Sequence, residues 1–193
     1  MSILALTSDT LIGTPATGNI EYNGQFFGTD SNASRAQLQR IVQATAVAST
    51  SGTSIDFTSI PAWVKKITVM LVGVSTSGTS LVRIQIGDSG GIENTGYAST
   101  STSIDTGVAT NSSTAGFDMN GSLAANIRSG NIVLSTIGSN IWTASGVIKT
   151  STAQTVILAG DKTLSATLDR VRITTVNGTD TFDAGSINIM YEG

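Results

Sequence analysis

Gly87-Asp88-Ser89-Gly90-Gly91 spells the nucleophile motif of chymotrypsin-like serine proteases, and it is the stretch of this chain that most directly suggests chemistry. A serine of that kind needs a base to take its proton and oriented donors for the oxyanion. The chain contains no histidine. A lysine base would have to be Lys65, Lys66, Lys149 or Lys162 buried beside Ser89, and no spacing in the sequence brings one there. A glycine-rich loop after a strand explains the motif better. Asp180 and Asp183, with the Asn177 side chain and nearby carbonyls, could ligate calcium, but they lack the alternating acidic spacing of a dedicated calcium loop. Asx turns explain them better. As paired carboxylates for glycoside hydrolysis, Asp169, Asp180 and Asp183 would want an aromatic-lined cleft, and the chain is only 5% aromatic. The expectation is a protein with no catalytic residue, no metal and no cofactor.

Recognition is the other chemistry to consider. Trp63 and Trp142 are the only tryptophans. Trp63 follows Pro61 at a corner and Trp142 shares strand parity with Ala144 and Ile148, so both are expected in the core. Tyr97 and the Ser/Thr-rich stretch 98–115 are better placed, because binding residues concentrate on loops held by a rigid scaffold. Tyr97, Ser99, Thr100 and Asn111 are therefore the expected glycan contacts. Arg170 and Arg172 project from one strand face, either to pair with carboxylates of a neighbouring subunit, such as Asp56 or Glu192, or to be solvated. The sequons at Asn32, Asn111 and Asn177 matter only in a glycosylating secretory pathway.

The elements that must hold these residues are strands. The chain has 193 residues, 39% of them apolar and only 12% charged, with Gly 21 against Pro 2. That balance favours many short strands and turns over helices. The net charge is −3 and the ten Lys and Arg are scattered, so no nucleic-acid footprint is expected. With no cysteine there is neither a disulfide framework nor a thiolate metal site. Met1–Leu6 is apolar but has no basic start and is too short for a signal peptide or membrane span, so no membrane contact is expected and synthesis is expected in a cytoplasm.

Along the chain, residues 1–45 read as an anchoring arm and 46–193 as the main domain. In the arm, Asn23-Gly24 between Gly18–Tyr22 and Gln25–Phe27 predicts a hairpin. Asp30-Ser31-Asn32 could cap a short helix over 33–42, with Leu38, Ile41 and Val42 at helical spacing; the alternative is an extended arm whose strand begins near Arg40. Tyr22, Phe26, Phe27, Arg35 and Arg40, together with Arg170 and Arg172, are the expected subunit or particle contacts. Strands are predicted at 42–49, 54–58, 65–74, 80–87, 131–137, 140–149 and 154–159, with one more between loops in 90–115. In 65–74 both faces are apolar, which predicts burial on both sides. Two C-terminal strands close the core: Val171, Ile173 and Thr175 oppose Arg170, Arg172 and Thr174, and Ile187, Ile189 and Tyr191 oppose Ser186, Asn188 and Met190. About ten strands at hairpin spacing predict an all-β antiparallel sandwich, jelly-roll-like, with a short N-terminal arm.

Several segments, in shared order, carry a resemblance. Asp56–Met70, Gly73–Ser80, Val82–Gly87, Thr95–Tyr97, Trp142–Val147 and Leu168–Glu192 resemble a domain found in tailed-bacteriophage tail-fibre and related virion structural proteins, and Gly18–Phe27 resembles the hairpin preceding such domains. The resemblance implies a virion component: a sandwich knob, homotrimeric, at a fibre or projection that attaches to the host surface, with a bacterial surface glycan as its ligand. Its partners would be other virion proteins, namely fibre, adaptor, baseplate or capsid. The rival it leaves open is a capsid decoration or head-fibre protein whose arm grips the shell.

Overall fold

A computed structural model describes residues 17–193 apart from 24, 33, 122 and 152. Met1–Leu6 and the two arm positions Gly24 and Ala33 thus lie outside the described residues. Among those described there are seventeen strands and no helix. The chain forms two compact units, Met1–Arg40 and Ile41–Gly193. The division precedes the expected 45/46 boundary because Ile41–Gln43 already pairs with the C-terminal strand.

The first unit is a three-stranded antiparallel sheet of β1 (Ile20–Tyr22), β2 (Phe26–Thr29) and β3 (Arg35–Gln37), in that order. The hairpin expected at Asn23-Gly24 joins β1 to β2, with Tyr22 opposite Phe26. Of the two alternatives for 33–42, the described residues show no helix but the extended arm, with a strand beginning at Ile41. Asp30 closes a turn instead, its carboxylate accepting from the Asn32 and Ser34 amides, both at 2.9 Å. That turn sends Arg35–Gln37 back along β2. A single short helical stretch is marginal in water, so strand pairing wins.

The second unit has two sheets. Its strands are β4 (Ile41–Gln43), β5 (Val47–Ala48), β6 (Ser54–Phe57), β7 (Lys66–Thr76), β8 (Val82–Asp88), β9 (Gly91–Ile92), β10 (Tyr97–Ile104), β11 (Val108–Ser113) and β12 (Phe117–Met119). They continue with β13 (Arg128–Gly138), β14 (Ile141–Lys149), β15 (Thr155–Thr163), β16 (Arg170–Thr175) and β17 (Phe182–Glu192). The larger sheet runs β11-β10-β15-β14-β13-β7-β17-β4, with β5 also on β17; the smaller runs β12-β8-β16-β6, with β9 on β8. All pairings are antiparallel, and the chain passes repeatedly from one sheet to the other. Ile67, Val69, Ile132, Leu134, Trp142 and Ile189 of the larger sheet share one core with Ile84, Ile86, Phe117, Val171 and Ile173 of the smaller. This is an all-β antiparallel sandwich.

Three expectations about elements change. The C-terminal strands alternate as predicted, but they do not pair with each other: β16 lies between β8 and β6, and β17 between β7 and β4. The Asn177-Gly178 turn therefore carries the chain between sheets. The two apolar faces of 65–74 are not both buried, because Gly73, at φ 68°, bulges and resets the alternation. Val72 is 65% exposed while Val74 is buried. Finally, 90–115 is not one strand between loops but β9 and the β10–β11 hairpin, which turns where the Gly107 amide donates to Asp105 at 2.9 Å.

Candidate functional site

Three of the four expected glycan contacts come together. Tyr97, Ser99 and Thr100 line a groove of about 650 Å³ with Ala98, Ser112–Thr114, Ala159 and Gly160. Small residues make room for it where β10 lies between β11 and β15. Gly160 is required there: a Cβ would stand 2.6 Å from the Ala98 carbonyl oxygen. Asn111 does not line the groove; its side-chain amide donates to Asp118 at 3.4 Å.

Tyr97 does not offer its ring to a ligand. The residue is buried, its hydroxyl accepts from the Ile86 amide at 2.8 Å, and the Glu93 and Ile86 carbonyls lie at 2.9 and 3.1 Å to receive its proton. Its ring meets Phe117 edge-on with centroids 5.1 Å apart, and the Lys162 ammonium sits 5.5 Å from its centroid. Burial pushes the phenol pKa well above its usual value. Tyr97 therefore clamps β10 to the β8–β9 hairpin, which corrects its expected role as a surface contact. A side chain at the start of a strand, pointing inward, is core by parity. Ser99 is pinned likewise, donating to the Gly116 carbonyl at 2.7 Å. Exposed Thr100, Ser112 and Thr114 remain as hydroxyls at the groove. Apart from Tyr97 nothing titratable lines it. It can hydrogen-bond a neutral ligand but holds no acid or base to transfer a proton.

The Gly87–Gly91 motif closes the β8–β9 turn. Asp88 accepts from the Gly90 amide at 2.7 Å and from the Ser165 hydroxyl at 2.6 Å, while Ser89 faces solvent. These bonds, that from Ser165 foremost, hold the Asp88 carboxyl below its usual pKa. Ser165 also lies 2.9 Å from a Glu93 oxygen, and Glu93 pairs with Lys162. Burial pushes Glu93 up, yet the bonds from Lys162 and Ser165 outweigh it and the net shift is downward. The sequence reading missed this cluster. Its signal was Lys162 at an inward position of β15, in step with Val156 and Leu158.

Arg128 was missed in the same way. It shares the inward parity of Ile132 and Leu134, is fully buried, and donates to the Gly121 and Asn126 carbonyls at 2.6 and 3.3 Å. Burial lowers its pKa to about 10, so it stays charged at neutral pH and ties down the segment before β13.

The expected intersubunit arginines are satisfied within the chain. Arg172 meets Asp56 through two bonds of 2.7 Å, because the β16–β6 register places them opposite each other. Arg170 pairs with its neighbour Asp169 at 2.6 Å, and Glu192 with Lys66 at 2.7 Å. In the first unit, Tyr22 packs on Phe26 with ring centroids 5.0 Å apart, and Arg35 pairs with Glu21 at 2.6 Å on the opposite face, the one that also carries Phe27. Arg40 is exposed. Of the expected core tryptophans, Trp142 is buried and Trp63 is half-buried against Tyr191, with centroids 5.8 Å apart. Asp180 accepts from Asn177 Nδ2 at 2.7 Å and the Ser80 amide at 2.9 Å, and Asp183 accepts from Ser75. Among the described residues no three acidic, histidine or cysteine side chains gather as a metal site would require.

The chain matches no family model, no curated protein and no solved structure.

Proposed function

We propose that this protein is a non-enzymatic structural component of a tailed-phage particle, a homotrimeric sandwich knob that serves attachment to the host surface. In this reading its N-terminal unit ties it to a fibre, adaptor or baseplate. The observation that carries the reading is the uneven sheet of that unit. Its register puts Ile20, Tyr22, Phe26, Gly28, Ala36 and Leu38 on one face, and Ile20, Phe26 and Leu38 are 71%, 46% and 49% exposed. The other face holds the Glu21–Arg35 ion pair. A three-stranded sheet this small buries too little to hold itself together, and an uncovered apolar face marks a place where a partner binds. Another virion protein supplies that cover. The order of the phage-like segments supports the same reading. The β10–β11 side of the groove, with Thr100, Ser112 and Thr114 and no charged side chain, suits a neutral saccharide of the bacterial surface.

Gold-labelled antibodies against residues 41–193, applied to particles from the strain that carries the gene, test the proposal. Gold at a tail fibre or baseplate is the expected result. Gold spread over the head would replace it with the capsid-decoration reading, in which the arm grips the shell. Particles without gold would remove the virion reading altogether.

A further inference from the structure

The two sheets of the second unit turn unlike faces outward. On the smaller sheet, Arg83–Asp118 and Arg172–Asp56 ion pairs flank Gln85. The larger sheet has more strands, and the charged residues of its outward face stand off its centre. One row of cross-strand partners runs Met70, Asn131, Val147, Ile157 and Thr102 across five strands. The next runs Thr68, Val133, Ser145, Ala159 and Thr100. Neither row contains a charged residue. Charge begins in the adjoining rows, with Lys66, paired with Glu192, and Asp161 on one side and Lys149 on the other. Val72, Val147 and Ile157 are 65%, 57% and 47% exposed.

We infer that copies of this chain meet through the outward face of β7, β13, β14 and β15, an inference that rests on the homotrimer proposed above and names its interface. Solvated sheet faces gain solubility from charge, whereas the centres of protein interfaces are depleted of it. A partner steered by charge would find none in these two central rows. A second Thr/Val/Ser face needs none, because β-branched side chains standing off two pleated surfaces interdigitate.

The dimensions fit three copies. Four strands at ~4.8 Å spacing and nine to eleven residues long make a band about 19 Å wide and about 30 Å long. Its projection, roughly 600 Å², grows with side-chain relief towards the ~800 Å² per partner of a standard interface. Three such bands set as a triangular prism stand about 5.5 Å from the axis, close to half the ~10 Å separation of packed sheets. The prism is filled by side chains alone.

Light scattering on full-length Ser145→Lys and Thr174→Lys proteins tests this. Ser145 is exposed at the middle of the band, and Thr174 faces outward on the smaller sheet. The expected result is that S145K falls to one third of the wild-type mass with its β-sheet circular dichroism intact, while T174K keeps the wild-type mass. Should S145K fail to fold, a short bis-maleimide applied to Ser145→Cys decides, since the chain has no cysteine of its own. Linked chains for S145C and none for Thr174→Cys are then expected. A wild-type trimer that S145K leaves whole, or that S145C does not link, overturns this interface and leaves the trimer standing. A wild-type monomer overturns both.

Discussion

Tyr97 shows how one side chain can look like a binding residue and be a clamp. Its hydroxyl bridges the Ile86 amide and the Ile86 and Glu93 carbonyls from a buried position. Tyr97→Phe keeps the ring against Phe117 and strands those groups, so it costs about 1–3 kcal/mol in chemical unfolding without changing the groove's exposed hydroxyls. Binding to cells that falls while stability holds would reverse that assignment. Ser165 makes a second residue-scale case, donating towards two carboxylates whose pKa values are both lowered. Groups whose folded pKa is depressed stabilise the fold above their ordinary values, near 3.8 for Asp and 4.5 for Glu, and that stabilisation is lost as pH falls through the lowered values. Ser165→Ala should therefore lower the unfolding midpoint at pH 7, with the gap to wild type closing as pH approaches 3. A gap that stays constant with pH would mean the hydroxyl does not act through the charged carboxylates.

At the scale of elements, alternation was legible and partnership was not. Val171 and Ile173 inward, Arg170 and Arg172 outward, follow directly from the period-two pattern, as do Ile187 and Ile189. Which strand each would pair with depends on contacts distant in sequence, so the two C-terminal strands read as neighbours although they lie in different sheets. The β10–β11 hairpin was hidden because Ser and Thr serve both strand and loop, and the inward Ser101 and Ser103 give no apolar period. Buried Arg128 and Lys162 break the apolar-inward rule, and only their parity betrayed them. The bulge was written in the glycines. A Cβ on Gly185, itself at φ 91°, would stand 2.4 Å from the Gly73 backbone. Gly185→Ala should cost about 1–3 kcal/mol or more, seen as a lower denaturant midpoint. An unchanged midpoint would mean that β7 and β17 can separate there without loss.

The whole molecule divides its labour between a sandwich with its own core and a small sheet that leaves an apolar face bare. That division predicts that a chain lacking residues 1–40 keeps the unfolding midpoint of the full protein, measured by calorimetry, and the proposed virion role predicts that it loses attachment to the particle. A midpoint that collapses would show that the arm completes the core. The proposed assembly rests on the uncharged central rows of the large sheet's outward face. Its most direct test is the mass of the purified full-length chain, by light scattering during size-exclusion chromatography. A single species at three times 19.7 kDa is the predicted result. A clean 19.7 kDa monomer at micromolar concentration would contradict the trimeric knob.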